Sequence, residues 1–134
     1  MFWERRRRLR SVEEIERNTV RRRCAEQIAQ QLLAINEKTG IDKIALFGSV
    51  AENRDTPESD VDLGIVVREK LPDYEIDRLT KVYYDSVKEY AKDNIPTTHV
   101  PLHLTVVTRD MYAFYLSIRS CVVEKIEKGI VLYP

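Results

Sequence analysis

Apolar residues recur at Val12, Ile15, Val20, Cys24, Ile28, Leu32 and Ile35, a spacing that predicts one long helix. Ser11 and Glu14 frame its start as a capping box, in which each side chain satisfies the other residue's backbone N–H. Gly40 is a natural residue just past its end. The short run Ile44-Ala45-Leu46-Phe47 stops at Gly48 and predicts a buried strand. Residues 52–59 are polar turn formers and predict a loop that ligand binding would order.

From Val61 to Val67 the pattern changes period. Val61, Leu63 and Ile65 face one way, while Asp60, Asp62 and Gly64 face the other. Pro72-Asp73 opens a helix whose inner stripe is Ile76, Leu79, Tyr83, Val87 and Tyr90. After a connection bracketed by Pro96 and Pro101, Leu102, Leu104 and Val106 alternate with His103, Thr105 and Val107 as a third strand. A last helix is expected from Asp110, with Met111, Tyr115, Ile118, Val122 and Ile126 inward, until Gly129 stops it. Ile130 to Tyr133 then forms a terminal edge strand. The order predicts an α/β (α+β) domain, a small mixed β-sheet with helices packed on it.

Composition agrees with one globular domain: 134 residues, 43% hydrophobic and 33% charged, enough for a core but too few for two ordinary domains. No apolar run approaches the roughly 18 residues of a membrane span, and the Met1-Phe2-Trp3-Glu4 start lacks the apolar stretch of a secretory signal. Cys24 and Cys121 stand far apart, which excludes a disulfide framework and fits the cytoplasm.

Net charge is zero but unevenly spread. Residues 1–23 hold nine arginines (5–8, 10, 17, 21–23) against four glutamates (4, 13, 14, 16), so the remaining residues carry a surplus of five negatives. A neutral total argues against a dedicated nucleic-acid binder. Residues 1–10 read as an arginine-rich arm ahead of one domain at 11–134. The arm is a solvated helix end or subunit contact, with phosphates or a membrane surface as the alternative.

One constellation carries chemistry. Gly48-Ser49 ends a buried strand, and after a gap of ten residues comes Asp60-Val61-Asp62-Leu63. Glycine lets another group approach the backbone, and the serine hydroxyl with the amides of the new turn favours an anion. Two acids two apart on a strand project from one face about 7 Å apart. Their mutual repulsion is relieved by a hard divalent cation, for which oxygen ligands suit magnesium. A phosphate cradle beside such a site is equipment for a nucleoside triphosphate.

The pattern resembles the polymerase β superfamily of nucleotidyltransferases, in particular the small stand-alone minimal nucleotidyltransferases. Gly48, Ser49 and Ala51 match the family's Gly-Ser-x-Ala-x-Gly, and Ser59, Asp60, Asp62 and Leu63 match its Ser-Asp-x-Asp-Leu. Asn53 stands where the family often has glycine, and asparagine tolerates positive φ. Lys128 to Tyr133 resembles the family's ending. The resemblance runs from about Ile41 to Tyr133. It implies a polymerase β-like fold in which Gly48, Ser49 and Ser59 hold phosphates and Asp60 and Asp62 bind Mg2+ or Mn2+. An acceptor hydroxyl would attack the α-phosphate of ATP or another NTP and release pyrophosphate.

The family adds a third carboxylate on the next long strand. Strand phase puts His103 there, and no Asp or Glu occurs from Asn94 to Arg109. Imidazole accepts protons near neutral pH but is a poor magnesium ligand. His103 is therefore a replacement base, or a structural histidine in a protein that only binds nucleotide or nothing, or another acid completes the site. His99 has no assigned role. Arg54 is read as a solvated loop residue within reach of a phosphate, and the tyrosines as packing.

Two functions follow. One is an enzyme that transfers AMP from ATP to a hydroxyl. The other is an antitoxin-like interaction protein that binds a small helical HEPN-domain partner, the pairing the resemblance implies, with little or no catalysis. In either case a partner or a homo-oligomer is expected to supply acceptor recognition, since the chain holds little beyond the catalytic module.

Overall fold

A computed structural model describes residues 10–35, 40–94 and 101–134. The elements in order are α1 (Val12–Ile35), β1 (Ile41–Phe47), α2 (Gly48–Ala51), β2 (Val61–Val67), α3 (Asp73–Asn94), β3 (Leu102–Thr108), α4 (Arg109–Ser117), α5 (Cys121–Glu127) and β4 (Ile130–Tyr133). The four strands form one mixed sheet in the order β3-β2-β1-β4. β1 is antiparallel to both its neighbours, and β2 and β3 are parallel, joined by the crossover helix α3. The α+β architecture read from the sequence is the one observed.

Strand alternation divides the core into two layers. Ile44 and Leu46 of β1, Val61, Leu63, Ile65 and Val67 of β2, and Leu104 and Val106 of β3 pack against α1 and α3 in one cluster. The alternate residues Ala45 and Phe47 meet Ile126 of α5 on the other face, with Tyr112 of α4 beside them. On that second face Gly64 makes room for α5, because a Cβ there would lie 2.5 Å from Ile126 Cγ1.

α1 begins as its capping box requires, with Glu14 N–H donating to Ser11 Oγ at 3.1 Å. Its buried face differs from the predicted stripe. Cys24, Ile28 and Leu32 are buried, but Val12, Ile15, Val20 and Ile35 are exposed. In the first half of the helix the inward positions are the polar Asn18 and Arg21. A periodic count of apolar residues cannot see them, because they are buried by partners on a distant loop. α3 matches expectation more closely: Ile76, Tyr83 and Val87 are buried, and Leu79 and Tyr90 are partly so.

The single last helix expected from Asp110 is two helices. Thr108 caps α4 by accepting from Met111 N–H, and Arg119 in the connection takes φ +54°, which an α-helix cannot accommodate. The change turns Ile118 outward, 58% exposed, instead of into the core. α5 then lies across β1 and delivers Ile126 to Gly64. Residues 1–9 of the arginine arm, Pro96, His99 and the side chain of Val122 fall outside the described residues. Among the described residues no helix is long and apolar enough to cross a membrane.

Candidate active site

The site lies at one end of the sheet's second face. Phe47, Asp62 and His103 occupy one row across three strands, since Phe47 pairs with Asp62 and Asp62 with His103. β1 ends at this row, and the chain turns sharply into the four-residue α2. Gly48 makes that turn with φ +79°. It is also pressed against the neighbouring strand: a Cβ at this position would collide with Asp62 Oδ2. Glycine is therefore required twice, by backbone conformation and by close approach. Asn53 ends the turn with φ +59°, the positive φ expected of it.

Asp62 is the pivot. Its Oδ2 faces Gly48, and its Oδ1 lies 3.1 Å from His103 Nδ1. Burial raises the Asp62 carboxyl above its ordinary pKa. The hydrogen bond and charge of His103 oppose that rise, the negative charge of Asp60 adds to it, and Lys125 again opposes it. A carboxylate taken from water next to another carboxylate is short of positive charge, as a cation-binding group would be before its cation arrives.

Gly48, Ser49, Asp62 and His103 line one cleft of about 770 Å³. The other two expected residues sit differently. Asp60 is exposed, one residue before β2, and is not among the cleft-lining residues, although its charge is felt at Asp62. Ser59 is also outside the lining: its Oγ accepts from Thr56 N–H at 2.8 Å and pairs with Thr56 Oγ1, so the hydroxyl is occupied within its own loop.

The cleft also contains residues that sequence reasoning assigned no role there. Thr105 lies two residues beyond His103 on the same face, a position strand phase already indicated. Lys125 and Lys128 come from the end of α5 and the turn into β4. They were hidden because the last helix was read as unbroken, which left its direction across the sheet unknown. Among the described residues neither lysine has a carboxylate ion-pair partner, whereas Lys43, Arg68 and Arg109 do. Arg54 lines the cleft too and pairs with Glu52 at 2.5 Å.

The loop 52–59 is contacted by polar side chains of α1. Asp55 is 4% exposed, and Arg10, Arg17, Arg21 and Asn18 converge on its carboxylate. Arg10, Arg17, Arg21 and Arg22 are thus engaged inside the molecule, whereas the expectation for residues 1–9 of the arm lies outside the described residues.

A divalent cation is implied by the two acids, and the donor set fits one in part. Asp60 and Asp62 offer carboxylate oxygens and an uncompensated charge, but no group of three His, Cys, Asp or Glu side chains able to hold a metal occurs among the described residues. The remaining oxygens would have to come from a bound polyphosphate and water. The arrangement is a glycine hinge, a carboxylate–imidazole pair and two lysines around one cleft.

No curated protein matches the chain. Residues 26–129 match the family model described as nucleotidyltransferase domain, which spans most of the 134 residues and includes every residue of the cleft except Ile130, so the chain belongs to the nucleotidyltransferase domain family.

Proposed function

We propose that this protein transfers a nucleoside monophosphate, AMP from ATP, to a hydroxyl group of an acceptor. Nucleotidyltransferase domains generally act on a nucleoside triphosphate with a divalent metal. The observation that carries the finer reading is the convergence of Gly48, Ser49, Asp62 and His103 in a cleft that also holds Lys125 and Lys128. Gly48 and Ser49 receive the phosphates, and the lysines supply positive charge to the same cleft from the end of α5 and the turn that follows it. A Mg2+ or Mn2+ ion held through Asp62 and Asp60 would neutralise charge developing on the phosphates.

His103 takes the place of the family's third carboxylate. Its Nδ1 is engaged by Asp62, and Nε2 has no partner among the described residues, so the ring is oriented and one nitrogen is left to accept a proton. The acceptor hydroxyl loses its proton to His103 as its oxygen bonds to the α-phosphorus. The bond from that phosphorus to the bridging oxygen breaks, and pyrophosphate leaves with the electron pair. Both cysteines are free thiols, which supports a cytoplasmic setting.

A second reading has one observation in its favour: among the described residues the cleft lining holds one carboxylate besides that of Asp62, Glu52, and it already pairs with Arg54. In that reading the protein neutralises a small helical HEPN-domain partner by contact. Incubation with α-labelled ATP, Mg2+ or Mn2+ and a co-expressed helical partner separates the two. Label transfer that disappears in Asp62→Ala and falls at least a hundredfold in His103→Ala supports the enzyme. A stable complex, no transfer, and indifference to Asp62→Ala support contact alone.

A further inference from the structure

We infer that the first half of α1 is a clamp that positions the phosphate-binding turn, with Asn18, Arg21, Arg22 and Asp55 as its positioning residues. This rests on the nucleotidyl-transfer reading above. These α1 residues precede the matched stretch 26–129, so the family match does not account for them.

α2 is four residues long, bracketed by two residues at positive φ, Gly48 and Asn53. The turn's own backbone satisfies Gly48 O and Ser49 O through the N–H groups of Glu52 and Arg54, but leaves Val50 O with a long bond of 3.4 Å from Asn53 N–H and Ala51 O to a side chain, and a non-glycine at positive φ costs about 1–2 kcal/mol. α1 supplies what is missing. Asn18 Nδ2 donates to Val50 O at 2.9 Å. Arg22 Nη2 donates to Ala51 O at 3.0 Å and to Asn53 Oδ1 at 2.8 Å, the side chain of the strained residue itself.

The same helix face then holds the loop that follows. Asn18 Nδ2 also donates to Asp55 Oδ1 at 2.7 Å, and Arg21 donates to Asp55 Oδ2, Thr56 O and Pro57 O. Burial by itself would raise the Asp55 carboxyl, but the Asn18 amide, Arg21 and Arg10 hold it below its ordinary value. Asn18 and Arg21 are 6% and 5% exposed, so these polar groups are buried for one another and for the turn. None of the four lines the cleft. Their effect on nucleotide must pass through the backbone of residues 48–53, which carries Gly48 and Ser49.

The test uses the full chain and measures the Kd of ATP with Mg2+ by calorimetry, beside the Tm without nucleotide. Asn18→Ala and Arg22→Ala should each weaken ATP about tenfold, as loss of fixed geometry does. Ile28→Val removes a buried methyl from the same helix away from the turn. It should lower Tm with unchanged Kd. Arg22→Lys keeps the charge but its side chain is one bond shorter and falls short of the place that Nη2 holds between its two acceptors, and it should also weaken ATP; it carries the test if Arg22→Ala does not fold. Unchanged Kd in the turn variants, or an equal loss in Ile28→Val, overturns the clamp. Failure of the unaltered protein to bind ATP with either Mg2+ or Mn2+ is a distinct result that overturns the functional reading and, with it, the clamp's role.

Discussion

The contact between Gly48 and Asp62 converts into a number. Gly48→Ala places a methyl group at φ +79°, in the left-handed region, which costs about 1–2 kcal/mol for a residue with a Cβ. The methyl also collides with Asp62 Oδ2, so the carboxylate must rotate off its rotamer or the strands must part, adding about 0.5–1.5 kcal/mol. The sum, about 1.5–3.5 kcal/mol, corresponds to roughly 5–20 °C in Tm for a domain of this size. The two contributions separate in a double-mutant cycle. Asp62→Ala removes the oxygen that is struck, leaving Asp62 Cβ at 3.5 Å from the new methyl, an ordinary contact. In that background Gly48→Ala should cost only the backbone part, giving a coupling of about 1 kcal/mol. Urea unfolding of the four proteins provides the numbers. Equal costs in the two backgrounds would refute the collision, and a cost below about 0.5 kcal/mol in the unaltered protein would refute the strain as well.

Three further outcomes follow from the charges. The Asp62 carboxyl is raised on folding, so its contribution to stability is complete below its unfolded pKa near 3.8 and is lost as pH rises through the folded value. Asp62→Asn should therefore raise Tm at pH 7 relative to the unaltered protein while abolishing label transfer; a lower Tm at pH 7 would contradict the assignment. Asp55 has the opposite sign: its stabilisation is present above about 3.8 and is lost as pH falls through its lowered folded value. The Tm gap between the unaltered protein and Asp55→Asn, measured from pH 7 to pH 2, should close at the acid end. Lys125→Ala and Lys128→Ala should each raise the KM for ATP roughly fivefold, about 1 kcal/mol for one screened charge on a phosphate, with Tm within about 2 °C; an unchanged KM would place the triphosphate elsewhere in the cleft.

Local pattern was enough to read much of this molecule. A strand has period two, so the sequence alone put Leu63 and Asp62 on opposite faces of β2, and His103 in phase with Asp62 on β3. Capping is equally local, which is why Ser11 and Glu14 located the start of α1. The Gly-Ser and Asp-x-Asp spacing was legible because a turn and a strand each impose their own geometry over a few residues. Where the helical stripe failed, in the first half of α1, the reason was distance along the chain. Asn18 and Arg21 are inward only because Asp55 comes back to meet them from 37 and 34 residues away. The break at Arg119 escaped notice since nothing in its neighbours forbids a continuous helix, and that break brings α5 across the sheet.

The sequence thus determined the strand faces, the glycine hinge and the chemical types at the site, all of which depend on short-range sterics and periodicity. Only the tertiary structure decided that Asp62 Oδ2 presses on Gly48, that Lys125 and Lys128 share their cleft, and that Arg17 and Arg21 of α1 are spent on a buried carboxylate. Those facts depend on where separate elements meet, and burial and charge pairing across such meetings leave no period for a single chain to display.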